Sequence, residues 1–331
     1  MPDYSEKRHQ REPQGTPQKD SYVKALQIIN EVKKAVIGKD ECIAKSVAAI
    51  LAGGHILLND IPGVGKTTLA VALAKAMSLK SGRVQFTPDV LPSDLTGFSV
   101  YRKETDSFVY QSGSLLCNLF LADELNRTSP KTQSALLEAM EERQVTVDGV
   151  TRSLPEPFIV IATQNPFGSA GTQMLPDSQL DRFMISMSLG YPSMKDELSI
   201  LKGAHKQQQV KAVVTAEELT AMCRQTEEIF IHEEIYRYIG QLVERTRDHE
   251  YIQLGVSPRG TICLVKMARA LAFLRQRAFV VPEDVIDMAV PVMEHRILLN
   301  PKARINHITA KQLIEEIIKE VKRPSLKGAS S

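Results

Sequence analysis

Residues 56–68 read ILLNDIPGVGKTT: an apolar run, a turn with two glycines, and then a lysine followed by two threonines. An apolar run bounded by turn residues is typical of a buried strand. Polyphosphate binding needs several backbone N–H groups directed at one anion, and Gly63 and Gly65 let the main chain curl closely enough. A helix that starts at Lys66 adds the positive end of its dipole. The stretch therefore predicts a polyphosphate-binding loop between a strand and a helix.

Two side chains of this loop have specific roles in nucleotide binding. Lys66 can reach the β- and γ-phosphates, and the Thr67 hydroxyl can coordinate Mg²⁺. The strict pattern has glycine at position 60, where this chain has Asp60. A strand-to-helix turn without a ligand is the alternative, and the order of strand, turn and helix argues against it. The residues expected to hold the nucleotide here are Pro62, Gly63, Val64, Gly65, Lys66, Thr67 and Thr68.

A second apolar run, residues 119–122, ends in two carboxylates, Asp123 and Glu124. Ligands of open α/β sheets bind at the carboxyl ends of the strands, so these carboxylates should lie near the phosphate loop. Asp123 would then hold the Mg²⁺ shell, and Glu124 would polarise the attacking water. Alone, the motif could be a solvated strand end; the phosphate loop upstream favours the catalytic interpretation.

Three further polar residues could take part in this chemistry, and the residues alone leave their roles open. Asn165 follows another apolar run and could position water or sense a γ-phosphate, or form a turn before Pro166. Arg182 follows a short helix, Arg259 lies in the first turn of a later one, and either could be an ordinary surface arginine. Because a helix N-terminus disfavours a cation, Arg259 predicts an anion close by.

The composition is that of a soluble globular protein of about two domains. Of 331 residues, 43% are apolar and 24% charged, and 41 basic against 39 acidic residues give a net charge of +2, which favours neither a nucleic-acid nor an anionic-membrane binder. The four cysteines form no C-x-x-C pair, which argues against a zinc site or a disulfide framework. The charged start lacks an apolar signal region, and no apolar run is long enough to span a bilayer. We therefore expect a cytoplasmic protein without membrane insertion.

The chain divides into three parts. Residues 1–20 are polar and predict a disordered tail. Residues 21–190 alternate strand and helix patterns, which indicates a mainly parallel sheet with helices on both faces, and residues 144–151 predict an inserted β-hairpin around Asp-Gly. Residues 191–331 show repeated helix starts and no convincing strand, and predict an all-helical domain. The expected sheet strands lie near 55–58, 84–86, 119–122, 158–162 and 184–189.

Together these motifs resemble the MoxR-type AAA+ ATPases, from about residue 22 to residue 321. The resemblance implies a P-loop AAA+ core with a parallel five-stranded sheet in an αβα sandwich, an inserted β-hairpin and a C-terminal all-helical lid. Residues 90–113 would be the helix-2 insert and 143–154 the pre-sensor-1 hairpin. The matching segments are QFTPDVLPSDLTG (85–97), LADELNR (121–127), PKTQSALLEAMEE (130–142), ATQNP (162–166) and LDRF (180–183).

The resemblance also implies roles that spacing alone does not give. Asn165 would be sensor 1, Arg182 the arginine finger that reaches a neighbouring subunit's nucleotide, and Arg259 the lid residue sensor 2, which reads the γ-phosphate. Ile37 and Gly38 would line the adenine. It further implies ATP and Mg²⁺ as cofactors, a homo-oligomeric ring, usually a hexamer, and chaperone-like remodelling of client protein complexes, often with a von Willebrand factor A-domain protein.

Two other functions remain open from the sequence. A nucleic-acid motor should carry basic or aromatic residues on its hairpin, but 144–154 carries only Arg152, so no nucleic-acid partner is expected. The other function is that of a nucleotide-gated binding module that hydrolyses nucleotide too slowly to matter. The presence of Lys66, Glu124 and Arg182 argues against it. Residues 97–101 (GFSVY) could grip a client in a ring pore; we expect an ordinary loop with two partly buried aromatic side chains.

Overall fold

Strands alternate with helices up to residue 187 of the chain, and helices dominate after it. The computed structural model describes residues 19–61, 63–165, 174–203 and 209–324. The strands are β1 (Ile56–Asn59), β2 (Ser81–Gln85), β3 (Gly97–Arg102), β4 (Ser107–Ser112), β5 (Leu119–Asp123), β6 (Gln144–Val147), β7 (Val150–Ser153), β8 (Ile159–Gln164), β9 (Ile185–Met187), β10 (Ile252–Leu254) and β11 (Leu298–Leu299). The helices are α1 (Lys19–Ala35), α2 (Asp40–Leu51), α3 (Lys66–Ala76), α4 (Pro92–Thr96), α5 (Pro130–Glu142), α6 (Asp177–Leu180), α7 (Met194–Leu201), α8 (Ala216–Glu227), α9 (Glu233–Arg247), α10 (Pro258–Leu274), α11 (Pro282–Met293), α12 (Pro301–Ile305) and α13 (Ala310–Glu320).

The predicted parallel sheet is confirmed, with five strands in the order β2–β5–β8–β1–β9. Side chains alternate between its two faces because successive Cβ atoms of a strand point to opposite sides. Leu58 and Ile161 pack in a core with α1, α2, α3 and the C-terminal helices, whereas Leu57 and Ala162 pack in a second core with α5. The central strands β1, β5 and β8 are buried on both faces, which explains why they read as continuous apolar runs, whereas the edge strand β2 is partly exposed.

Two hairpins leave this core, and the sequence predicted one of them. The hairpin β6–β7 pairs as expected, with Asp148 and Gly149 at positive φ in its turn. The interpretation of residues 97–101 as a loop is wrong, because they form β3 and pair antiparallel with β4. Their aromatic side chains, Phe98 and Tyr101, are exposed and not partly buried as expected.

The C-terminal part is mainly helical, as predicted, and four of its helices begin at serine or threonine caps. Ser193, Thr215, Ser257 and Thr309 each accept a hydrogen bond from the backbone three residues later. The expectation that no strand follows residue 190 is wrong, since β10 and β11 form a short antiparallel pair. With three and two residues they are too short for a period-2 pattern. Of the predicted tail, residues 1–18 lie outside the described part, and α1 already begins at Lys19. None of the described helices combines the length and apolar composition needed to span a bilayer.

Candidate functional site

The strand order brings three sequence motifs to one edge of the sheet. β8 lies between β1, which leads into the phosphate loop, and β5, which ends at Asp123. Asn165 follows β8 directly and therefore lies between the other two motifs. The carboxyl ends of parallel strands meet at the same edge, so the topology assembles the predicted groups without any long loop.

The phosphate loop has the backbone that an anion cradle needs. Gly63 and Gly65 lie at φ +85° and +98°, a region that L side chains rarely adopt, and a Cβ at either position would meet open space. Gly65 is the N-cap of α3, which begins at Lys66. Pro62 lies outside the described residues. The loop borders a cleft of about 690 Å³ that is also lined by Ile37, Lys39, Val64, Thr68, Pro192 and Ile200.

The Lys66 ammonium is buried inside this loop. Its Nζ donates hydrogen bonds to the backbone oxygens of Asp60, at 2.8 Å, and Ile61, at 3.1 Å. Burial lowers the pKa of Lys66, and the nearby carboxylates of Asp60, Asp123 and Glu124 oppose that change. Two neutral carbonyls thus hold the lysine. A bound phosphate would replace them with negatively charged oxygens, which form stronger hydrogen bonds with an ammonium group.

The two carboxylates after β5 are held by residues that the sequence reasoning missed. The buried Thr163 accepts the Glu124 N–H and donates its hydroxyl to Asp123, both at 2.8 Å. Arg83 donates to the other Asp123 oxygen at 2.8 Å, and Arg127 to Glu124 Oε2 at 2.6 Å. Of these contacts, the sequence could have indicated only the one between Glu124 and Arg127, which are three residues apart.

The backbone at Glu124 is also unusual. This residue lies at φ +57° and ψ +47°, in the left-handed region that non-glycine residues rarely occupy. The turn ends β5 at once and starts a short 3₁₀ helix at residues 125–127. In that helix the buried Asn126 donates to the Asn165 backbone oxygen at 3.3 Å. The ends of β5 and β8 are therefore bonded to each other directly beside the phosphate loop.

The two candidate arginines lie at the opposite edge of the sheet. Arg182 precedes β9, whose first residue pairs with the first residue of β1, so it lies at the amino ends of the strands. Its Nε lies 3.4 Å from Glu141 Oε2, and Arg259 Nη2 forms an ion pair with Glu141 Oε1. Both guanidinium groups line one cleft of about 970 Å³. The anion expected beside Arg259 is thus Glu141.

The predicted site residues consequently form two groups. Lys66, Thr67, Asp123, Glu124 and Asn165 share the carboxyl edge of the sheet, and Ile37 lies across the cleft from the phosphate loop. Gly38, at φ +72°, makes the turn between α1 and α2 next to it. Arg182 and Arg259 form the second group at the amino edge. One sheet thus separates the arginines from the phosphate loop of their own chain.

Comparison with known proteins agrees with this architecture. Residues 55–185 match the sequence model of the ATPase family associated with various cellular activities (AAA), and residues 244–317 match that of the AAA lid domain. A solved protein of Cytophaga hutchinsonii superposes with a TM-score of 0.86 at 37% identity, covering 93% of this chain and 98% of that protein.

Similar proteins also match along most of their length. Uncharacterized protein YeaC of Bacillus subtilis is 46% identical over 309 residues, which is 92% of this chain and 96% of YeaC. Chaperone MoxR1 of Mycobacterium tuberculosis is 34% identical over 308 residues, which is 90% of this chain and 82% of MoxR1. These matches confirm the resemblance found in the sequence: the chain belongs to the MoxR family of AAA+ ATPases.

Proposed function

We propose that this protein hydrolyses ATP with Mg²⁺ in a ring, usually a hexamer in this family, and that hydrolysis drives remodelling or maturation of client protein complexes. One observation carries the proposal: the phosphate loop and the carboxylates lie at one edge of the sheet, and the two arginines lie at the other. A site that needs both groups is completed between two copies of the chain, as in a ring with one interface repeated.

The described residues suit both ATP and Mg²⁺. The open glycine backbone and the start of α3 favour phosphates, and the loop borders a cleft that a nucleotide could enter. Among the residues that the structure describes, no group of three or more His, Cys, Asp or Glu could hold a metal by itself. Mg²⁺ needs no such group, since it usually keeps waters and takes one or two protein ligands beside the phosphates. Here Thr67 and Asp123 would supply those ligands.

Hydrolysis needs charge neutralisation and a positioned water. We assign Lys66 and the loop N–H groups to the phosphates, Glu124 to the water, and Asn165 to its orientation. Bound Mg²⁺ would offset phosphate charge. The two hydrogen bonds of Thr163 support this assignment, because they fix the Asp123 carboxylate relative to the backbone of Glu124.

Arg182 and Arg259 are assigned to the nucleotide of the neighbouring copy. Their shared partner Glu141 supports a joint role, since one phosphate could replace it for both guanidinium groups. Arg259 belongs to the lid, so its contact with phosphate would couple nucleotide state to lid position, with rotation about residues 190–192. The relative MoxR1 is named a chaperone, which supports the client role. A von Willebrand factor A-domain protein is the partner we propose.

The proposal is tested by the ATPase rate per chain as a function of chain concentration, with Mg²⁺ present. A rate that rises with concentration, together with sedimentation of a larger species, is expected. Glu124→Gln is the matched variant: it should bind ATP and form the same species with a rate lower by on the order of 10²–10⁴-fold. A monomer that hydrolyses ATP at the full rate at every concentration would contradict the ring.

A further inference from the structure

Asp60, the residue at which the phosphate loop departs from the strict pattern, has a buried carboxylate with unusual partners. It is 5% exposed and lies directly after β1. Its Oδ1 accepts from Ser188 Oγ at 2.9 Å and from the Gly190 N–H at 3.2 Å, and its Oδ2 accepts from the Leu189 N–H. All three donors belong to residues 188–190, the segment by which the chain leaves β9 for the lid.

The backbone of Asp60 has two further partners. Its N–H donates to the Gln164 backbone oxygen at 3.1 Å, which extends the β1–β8 pairing, and its carbonyl accepts from Lys66 Nζ at 2.8 Å. One residue therefore contacts the sheet, the phosphate-binding lysine and the segment that leads to the lid. A glycine at this position would keep the backbone hydrogen bonds and lose the hydrogen bonds that the carboxylate accepts from that segment.

The segment itself is built to turn. Gly190 lies at φ +64°, and a Cβ there would meet open space. Lys39, which lines the nucleotide cleft, donates to the Tyr191 backbone oxygen at 2.8 Å. A buried carboxylate is costly unless it is hydrogen-bonded, so the contacts of Asp60, together with the buried Leu189 side chain, hold this segment in place.

We propose that Asp60 is a positioning residue that transmits nucleotide occupancy from the phosphate loop to residues 188–190 and so to the lid. The inference rests on the proposed nucleotide binding. When phosphate takes the Lys66 ammonium, the Asp60 carbonyl loses its partner and the peptide between Asp60 and Ile61 gains freedom. The Asp60 carboxylate then holds residues 188–190 less firmly, and the lid is released.

Amide hydrogen exchange of the full chain, with and without Mg²⁺ and a non-hydrolysable ATP analogue, tests this proposal. In the wild-type chain the analogue should slow exchange at residues 63–68 and speed exchange at 189–190 by about tenfold. In Asp60→Gly, exchange at 189–190 should already be fast and unaffected by the analogue, while 63–68 are still protected. Affinity for the analogue should stay within about threefold of wild type.

Two further variants keep the test sharp. Asp60→Asn keeps an acceptor oxygen and should respond to the analogue less than wild type; Ser188→Ala removes one donor, keeps both backbone bonds and should respond fully. Protection at 63–68 without faster exchange at 189–190 in wild type would overturn the role of Asp60 and leave the nucleotide site intact. No protection at 63–68 would overturn the proposed function and this inference with it.

Discussion

The two edges of the central sheet differ in how firmly their charged groups are held. At the carboxyl edge, Lys66 is buried, the Asp123 side chain is 13% exposed, and both bond to residues of that same edge; Glu124 there forms a partly exposed ion pair with Arg127. At the amino edge, Arg182 and Arg259 share the partly exposed Glu141. Exposed ion pairs contribute about 0–1 kcal/mol each, so the arginines can exchange partners at little cost. The comparison agrees with the proposal of a firmly held phosphate site at one edge and an arginine pair at the other that can change partners.

The largest expected effect comes from removing an arginine of the amino edge. Arg182→Ala should lower kcat by on the order of 10³–10⁵-fold, because an arginine finger offsets charge that develops in the transition state. The dissociation constant for ATP should change little, since the phosphate loop is intact. Steady-state kinetics and equilibrium nucleotide binding measure the two quantities.

Arg143→Ala is the matched control for that variant. Arg143 lines the same cleft, and its guanidinium bonds to the Gly53 backbone oxygen, which keeps it with its own chain. Its loss should leave kcat within about threefold of wild type. If Arg182→Ala weakens ATP binding and leaves turnover intact, the arginine has been placed at the wrong step.

Buried histidines at the amino edge should make the whole fold sensitive to acid. At the amino edge the buried His55 accepts the Val160 N–H at Nδ1 and contacts the Met140 oxygen through Nε2, and burial lowers its pKa to about 4. Burial lowers the pKa of His295 as well. Below pH 6.5 the unfolded chain binds protons that the folded chain excludes. His55 therefore reduces the free energy of unfolding by about 2 kcal/mol between pH 7.5 and 5.

Urea unfolding of wild type and His55→Gln at these two pH values measures this effect. The variant should be less stable than wild type at pH 7.5. Between pH 7.5 and 5, however, its free energy of unfolding should fall by about 2 kcal/mol less than that of wild type. His307→Asn is the control, because His307 is exposed and its positive φ suits asparagine. An equal loss in wild type and His55→Gln would show that His55 is not neutral in the folded chain.

A smaller effect is expected when the shared anion of the amino edge loses its charge. In Glu141→Gln both arginines are released, so they no longer give up an ion pair to reach a phosphate. The ATPase rate at low chain concentration should rise about two- to fivefold, in line with ion pairs of up to about 1 kcal/mol. Glu138→Gln, one turn earlier on α5, is the control. A lower rate in Glu141→Gln would mean that Glu141 positions the arginines for catalysis.

The smallest effect is expected from nucleic acid. Arg152 of the β6–β7 hairpin has its Cζ 3.7 Å from the ring centre of Tyr110, and its Nη1 donates to the backbone oxygens of Val147 and Val150. Engaged in this way, it is a poor phosphate contact. Single- or double-stranded DNA should change the ATPase rate by less than about twofold. Strong, salt-sensitive stimulation would favour the nucleic-acid motor instead.

The sequence was informative where local chemistry determines structure. The phosphate loop, the strand that ends at Asp123, the Asp-Gly hairpin and the helix caps each depend on residues close together in the chain, and all were predicted at or near their places. The pairing of β3 with β4 and of β10 with β11 was missed. β4 lacks a clear period-2 pattern, and β10 and β11 are too short for one.

The partners of the candidate site were beyond the sequence for a different reason. Thr163 and Glu124 are distant in the chain, as are Asp60 and Leu189, and only the folded sheet brings each pair together. The position of the arginines at the far edge likewise depends on strand order. Residue types indicated the chemistry, whereas the division of that chemistry between two edges required the fold.

The central claim is that each active site takes its arginine from another copy of the chain. Mixing Glu124→Gln with Arg182→Ala, each nearly inactive alone, tests it directly. In a randomly mixed ring about a quarter of the interfaces pair an intact Glu124 with a neighbour's intact Arg182, so activity should recover to about that fraction of wild type. A mixture that stays as inactive as its two components, while both are shown to assemble together, would contradict the claim.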